Sequence, residues 1–194
     1  MSVGLRRGGR EHGEPVFPAA AASAGLSEFI ARLRHRERAS LYDVGPAPGG
    51  NIVSFAAEGL RVYVDAERDH RLSGTAPDRL NFGDATLDAA VLWDLLDFLP
   101  RERAEPFVVD LSRAMKPGGF VFLLSSTAKQ AGPGPVFTYF VEEGFRLVAK
   151  PIEGTLAARI PRENREILRL FDRFENVALH LLRSGMREML LKRR

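Results

Sequence analysis

Apolar residues along this chain fall into short blocks whose spacing switches between the helical and the extended period. Phe29, Ile30 and Leu33 share one helical side, which predicts a helix over about 28–38 with Ser27 as its N-cap. Residues 39–44 read as a first strand, ending abruptly in Gly45-Pro46-Ala47-Pro48-Gly49-Gly50. Behind that turn, Ile52, Val53, Phe55 and Ala56 suit a helix closed by Gly59. RVYVD at 61–65 is rich in β-branched residues, as a second strand requires. LDAAVLW at 87–93 is a further buried strand. Phe107, Val108, Leu111 and Met115 then mark a helix over about 101–115, stopped by Pro117-Gly118-Gly119 and followed by the strand FVFLL at 120–124.

Downstream, residues 136–143 look helical and 145–150 extended. A long amphipathic helix is expected from Pro161, suited to a first helical position, to about Arg183. Its apolar stripe is Ile167, Leu170, Phe171, Phe174, Ala178 and Leu181, with Gly185 as the stop and Arg187–Arg194 as a last strand. Strands and helices in alternation imply an α/β protein, doubly wound, with a mostly parallel sheet covered on both faces. Residues 1–25 mix glycine, proline, alanine and arginine without periodicity. They are expected to form a flexible basic tail before one domain over 26–194.

Composition narrows the class. A length of 194 residues suits one such domain plus a tail, and a hydrophobic fraction of 45% allows a sizeable core. No apolar run approaches the ~18–20 residues of a membrane span, and the N-terminus has no apolar stretch behind its basic residues. A soluble, cytoplasmic protein is expected. The chain has no cysteine, which excludes disulfides, thiolate zinc and a cysteine nucleophile. A net charge of +3 raises nucleic acid as a partner. However, lysine stands only at Lys116, Lys129, Lys150 and Lys192, and the arginines are interleaved with acids, as on a solvated face. Arg162, Arg165, Arg169 and Arg173 read the same way, opposite the stripe of the long helix and paired with Glu166 and Asp172.

The segment that carries chemistry is DVGPAPGG at 43–50, a glycine-rich turn between strand and helix. Glycines let the backbone pass close to a ligand, and the helix behind offers free N–H groups to a polar group. Alone, the turn fits any doubly wound protein equally well. About 20 residues on, the next strand ends in Asp65, where such folds place an acid against ribose hydroxyls. Ala47 and Gly50 break the G-x-G-x-x-G spacing of a nicotinamide site, and no Gly-Lys-Ser/Thr completes a Walker loop. The four histidines have no metal-ligand spacing, so no metal is expected.

The order DVGPAPGG, VYVDAE, LDAAVLWDLLDFLP and LSRAMKPGGFVFLL resembles the class I S-adenosylmethionine-dependent methyltransferases, in particular their small-molecule branch. The resemblance covers about 39–125, and more weakly the rest. It implies a Rossmann-like sheet with an antiparallel C-terminal strand, S-adenosylmethionine as cofactor, and a small-molecule or protein acceptor. By the same resemblance Asp43 would approach the methionine end, while Gly45, Ala47, Gly49 and Gly50 would give close backbone passage. Asp65 would bind the ribose, Ala66 would border the adenine and Asp84 would lie near the adenine amine. Trp93 and Asp94 would line the pocket near the methyl group, Asp94 being the candidate base. Family members fit a helix, a third strand and an adenine loop between positions such as Asp65 and Leu87. Here NFGDA at 81–85 must end that strand and lead into the next. The PAPGG wording also resembles ribose-2′-O RNA methyltransferases, whose Lys-Asp-Lys-Glu set has no place on so lysine-poor a chain. The rival reading is a methyltransferase-like protein without catalysis, serving as a binding or assembly subunit with a partner held through the tail.

Overall fold

The computed structural model describes residues 21–65, 70–128 and 131–194. Its frame is a six-stranded sheet in the order β3-β2-β4-β5-β9-β8. Strands β2 (Ser40–Val44), β3 (Arg61–Val64), β4 (Leu87–Leu92) and β5 (Met115–Ser126) run parallel. Strand β9 (Met186–Arg193) is antiparallel to β5, and β8 (Phe174–Leu181) closes the far edge against β9. The sheet is thus mostly parallel with an antiparallel C-terminal strand, as expected.

Side-chain alternation on the central strands builds two cores. Ala89, Val91 and Trp93 face one side with Leu41, Phe122, Leu124 and Leu190, where helix α1 (Ala24–Leu33) adds Leu26, Phe29, Ile30 and Leu33 and helix α2 (Gly49–Ala57) adds Phe55. Ala90, Leu92, Val121, Leu123 and Leu191 face the other side. There α4 (Arg101–Ala114) brings Phe107 and Leu111, and α5 (Asn164–Leu170) brings Ile167. Burial on both faces is what a doubly wound sheet requires.

Several expectations fail for physical reasons. Helix α1 starts one turn early, because Ser23 rather than Ser27 caps it, its hydroxyl accepting from the Leu26 N–H at 2.9 Å. Gly25 in that first turn is obligatory: a Cβ there would sit 2.9 Å from the Glu188 side chain. The expected tail therefore ends sooner. Strand β1 (Ala21–Ala22) pairs with β7 (Arg146–Arg159), while residues 1–20 lie outside the described residues.

Residues 136–143 are extended, not helical. They belong to β6 (Gly132–Glu142), which with β7 and β1 forms a second, three-stranded antiparallel sheet. The long helix from Pro161 to Arg183 is also overturned. The short α5, opened by a capping box of Glu163 and Glu166, ends at Leu170, and an edge strand follows. A bulge between Asn176 and Ala178 breaks the alternation of β8, and this is why its apolar residues mimic helical spacing. Gly185 closes the β8–β9 turn at φ 81° rather than a helix.

Nor is there a third strand between β3 and β4 among the described residues. A single helical turn, α3 (His70–Ser73), is followed by irregular chain, and β3 is left as the sheet edge. Phe82 fills the vacated face, packing edge-on against Tyr42 and Tyr63. No helix among the described residues is long and apolar enough to cross a membrane.

Candidate functional site

Three neighbouring parallel strands bring Asp43, Asp65 and Trp93 to one edge of the sheet. Asp43 is the penultimate residue of β2, Asp65 follows β3, and Trp93 and Asp94 follow β4. Ligands of open α/β sheets bind outside this carboxyl edge, since the connections there leave a crevice.

Asp43 is fully buried. Its Oδ1 accepts a 2.7 Å hydrogen bond from the Trp93 indole N–H, while Oδ2 has no partner. Burial pushes its carboxyl up to about 7, against the smaller opposing effect of the Trp93 N–H. Next to it the chain turns through Gly45 at φ 136°, a conformation closed to other residues without strain. Helix α2 then begins at Gly49 with no side-chain cap, and a Cβ on Gly49 or Gly50 would meet nothing within 4 Å. Its first N–H groups therefore remain available to a ligand. Ala47 is half-buried in the connecting turn.

Asp65 is partly exposed. Its Oδ2 lies 2.6 Å from His70 Nε2 and 3.5 Å from the Tyr42 hydroxyl. Burial, then the Asp65 charge, pushes the Tyr42 phenol well above its ordinary range. Ala66 lies outside the described residues. Asp84 is not part of this site. Without a third strand to carry it back, the chain reaches Asp84 at the opposite edge, where it accepts from Arg113 at the end of α4.

Past β4 the space is filled. Trp93 stacks on Tyr139 of β6, ring centroids 5.6 Å apart and nearly parallel at 13°. Asp94, with no exposure, accepts from Arg71 Nη1 at 2.9 Å, the Tyr139 hydroxyl at 2.8 Å and Arg159 Nη1 at 3.1 Å. Arg159 Nη1 also lies 3.5 Å from Asp97, and its guanidinium covers the Phe98 ring at 4.8 Å. Burial, then repulsion from Asp94, pushes the Asp97 carboxyl up to about 7. Both Asp94 oxygens are thus engaged, which makes it badly placed to take a substrate proton.

The second sheet holds this cover in place. Asn51 of α2 donates from Nδ2 to the Tyr139 carbonyl at 2.9 Å and accepts at Oδ1 from the Val141 N–H at 2.8 Å. Ser54 adds a 3.0 Å bond to the Val141 carbonyl. Sequence patterning missed Asn51, His70, Arg71, Tyr139 and Arg159. None stands in a motif, and only the pairing of β6 with β7 shows that 136–159 folds back over the site.

No protein-family model matches the chain, and no curated protein is significantly similar to it in sequence. Solved structures are similar in fold. An S-adenosylmethionine-dependent methyltransferase from Clostridium acetobutylicum ATCC 824 superposes with a TM-score of 0.58 at 11% identity, covering 87% of this chain and 90% of its own. An amino pentose methyltransferase from Micromonospora echinaspora, solved with bound S-adenosylmethionine, gives 0.55 at 17% identity, covering 88% and 89%. The 1,6-didemethyltoxoflavin-N1-methyltransferase of Burkholderia thailandensis, solved with its substrate and S-adenosylhomocysteine, gives 0.55 at 16%, covering 88% and 78%. The chain therefore has the Rossmann-like fold of class I methyltransferases.

Proposed function

We propose that the chain binds S-adenosylmethionine across the carboxyl ends of β2, β3 and β4 and transfers its methyl group to a small-molecule or protein acceptor. One observation carries this reading: the Asp43 carboxyl, buried with one oxygen unpartnered, beneath a glycine turn and an uncapped helix start. A buried carboxyl oxygen without a hydrogen bond is costly, and a ligand amino group would satisfy it. Asp43 would hold the amino group of the cofactor. Gly45, Ala47, Gly49 and Gly50 would let it lie against the backbone, Asp65 would take the ribose hydroxyls, and Trp93 would border the reacting end.

Bound there, the cofactor supplies an electrophilic methyl group on sulfur. The chain's own contribution is to position the acceptor and exclude water, and methyl transfer can run largely on such alignment. Titration calorimetry of the whole chain with S-adenosylmethionine and S-adenosylhomocysteine tests the reading. Binding is expected, and none at millimolar cofactor would refute it.

The filled space past β4 favours a second reading. Trp93, Asp94, Tyr139 and Arg159 are all at most 7% exposed, so the side on which an acceptor must enter is packed with this chain's own side chains. A methyltransferase-like protein without catalysis, acting as a binding or assembly subunit, has no need of that opening. Cofactor binding without turnover of any acceptor would support it.

A further inference from the structure

Two buried arginines at the end of β5 lack a carboxylate partner. Arg162 and Arg187 are 8% and 6% exposed, and among the described residues neither forms an ion pair. Arg187 donates to Asn164 Oδ1 at 2.6 Å, to Ser125 Oγ at 2.8 Å and to the Arg162 carbonyl. Arg162 donates to the carbonyls of Leu96 and Leu99. Every one of these acceptors is neutral. Desolvation lowers both guanidinium pKa values from their ordinary range, against the smaller opposing effects of Asp97 and Glu166. Buried charges are ordinarily paired, because an uncompensated one loses its hydration with nothing in return.

A cavity of about 390 Å³ lies beside them, lined by Thr127, Ala128, Pro161, Arg162, Asn164 and Arg187 among others. Thr127 is among the lining residues, and its hydroxyl, turned away from solvent, has no hydrogen-bond partner. Arg165 on the rim is balanced by Glu163 at 2.8 Å, and Asp97 and Glu166 act on Arg162 and Arg187 only from beyond ion-pair distance, so the two buried guanidinium groups are the cavity's unpaired charges. A guanidinium has more N–H donors than these protein contacts use. Volume, charge and an idle hydroxyl converge on one ligand chemistry.

We propose that this cavity binds an oxyanion, the carboxylate or phosphate group of a small ligand, through Arg162, Arg187 and the Thr127 hydroxyl. The site opens at the same edge of the sheet as Asp43 and does not depend on how that neighbouring crevice is used. Thr127 closes the end of β5, so an anionic ligand seated here would lie beside the strand ends.

The test is thermal melting of the whole chain against inorganic phosphate and against acetate, each compared with chloride at equal ionic strength. Saturable stabilisation by one of the two is expected. Phosphate acting where acetate does not assigns a phosphate ester, and the reverse assigns a carboxylate. Arg187→Lys keeps the charge but loses the planar fork, and should weaken that anion about tenfold or more. Thr127→Val keeps the shape, should fold as wild type, and should weaken the anion several-fold. If neither anion stabilises beyond chloride, or if Thr127→Val binds as wild type does, the arginines are structural only and the proposal fails.

Discussion

The indole N–H of Trp93 reaches the carboxyl of Asp43 across 2.7 Å, tying the end of β4 to the end of β2. Strand pairing makes this contact unavoidable. Asp43 lies opposite Val91, and Trp93, two residues further on, points to the same face. One indole therefore does two things: it satisfies half of a buried carboxyl and forms the floor on which Tyr139 stacks.

Removing that donor has a calculable direction. Trp93→Phe keeps an aromatic ring against Tyr139 but leaves both Asp43 oxygens unpartnered, which should cost about 1–3 kcal/mol at neutral pH. Urea unfolding measures it. Unchanged stability would mean that the hydrogen bond contributes nothing net.

Asp43 also predicts how stability depends on pH. Its folded pKa is raised from 3.8 to about 7, so between those values the folded chain holds a proton that the unfolded chain releases. Stability from this group is full below 3.8, falls as pH rises towards 7, and is flat above, a change on the order of 4 kcal/mol. Asp97 acts in the same direction. Asp88 and Asp110 act oppositely. Despite the cost of burial, Lys116 and Ser40 hold Asp88 below its ordinary value, and Arg113 does so for Asp110, so their stabilisation is lost in acid. The chain should be most stable in weak acid, and Asp43→Asn should flatten the decline towards neutrality. Unfolding series at several pH values measure both slopes.

Asp65 separates ligand binding from folding. It is partly exposed, so Asp65→Ala should fold, with some loss of stability from the buried His70 ring that loses its partner. If the crevice takes a ribose, the variant should lose roughly 1–3 kcal/mol of S-adenosylmethionine affinity in calorimetry. Equal affinity in both proteins would place the ribose elsewhere.

What was legible in the sequence was whatever local pattern determines. The apolar runs of β4 and β5, buried on both faces, and the turn DVGPAPGG were read correctly because chain-neighbour sterics and burial act in one direction there. Asp65 directly follows β3, at the strand end that its local pattern predicts. The second half was not legible. In 136–143 Phe137, Tyr139 and Val141 alternate into the core beside α2, and so short an apolar run fits either period until its pairing with β7 fixes it as extended. The sequence pattern sets Arg162 in a solvated row on a helix. The chain at that point is not helical, and its guanidinium turns inward to the carbonyls of Leu96 and Leu99. Asp84 was misplaced because its role required a strand that the short connection does not form.

The hairpin of β6 and β7 decides between the two functional readings, and Asn51 is its latch. Its amide makes paired hydrogen bonds to Tyr139 and Val141, all within buried structure, and among the described residues Ser54 is the one other α2 side chain that bonds to this strand. Asn51→Ala strands a backbone carbonyl and a backbone N–H, so a cost of about 2–4 kcal/mol is expected from two buried groups. The Val141 amide should exchange with solvent faster than the β4 and β5 amides, which keep their partners. If the cover must swing aside for a ligand to enter, the variant should bind S-adenosylmethionine with a faster association rate despite its lower melting point, a combination visible in stopped-flow mixing. A lower melting point with an unchanged association rate would instead mean that the hairpin is a fixed wall, as a sealed, non-catalytic subunit requires.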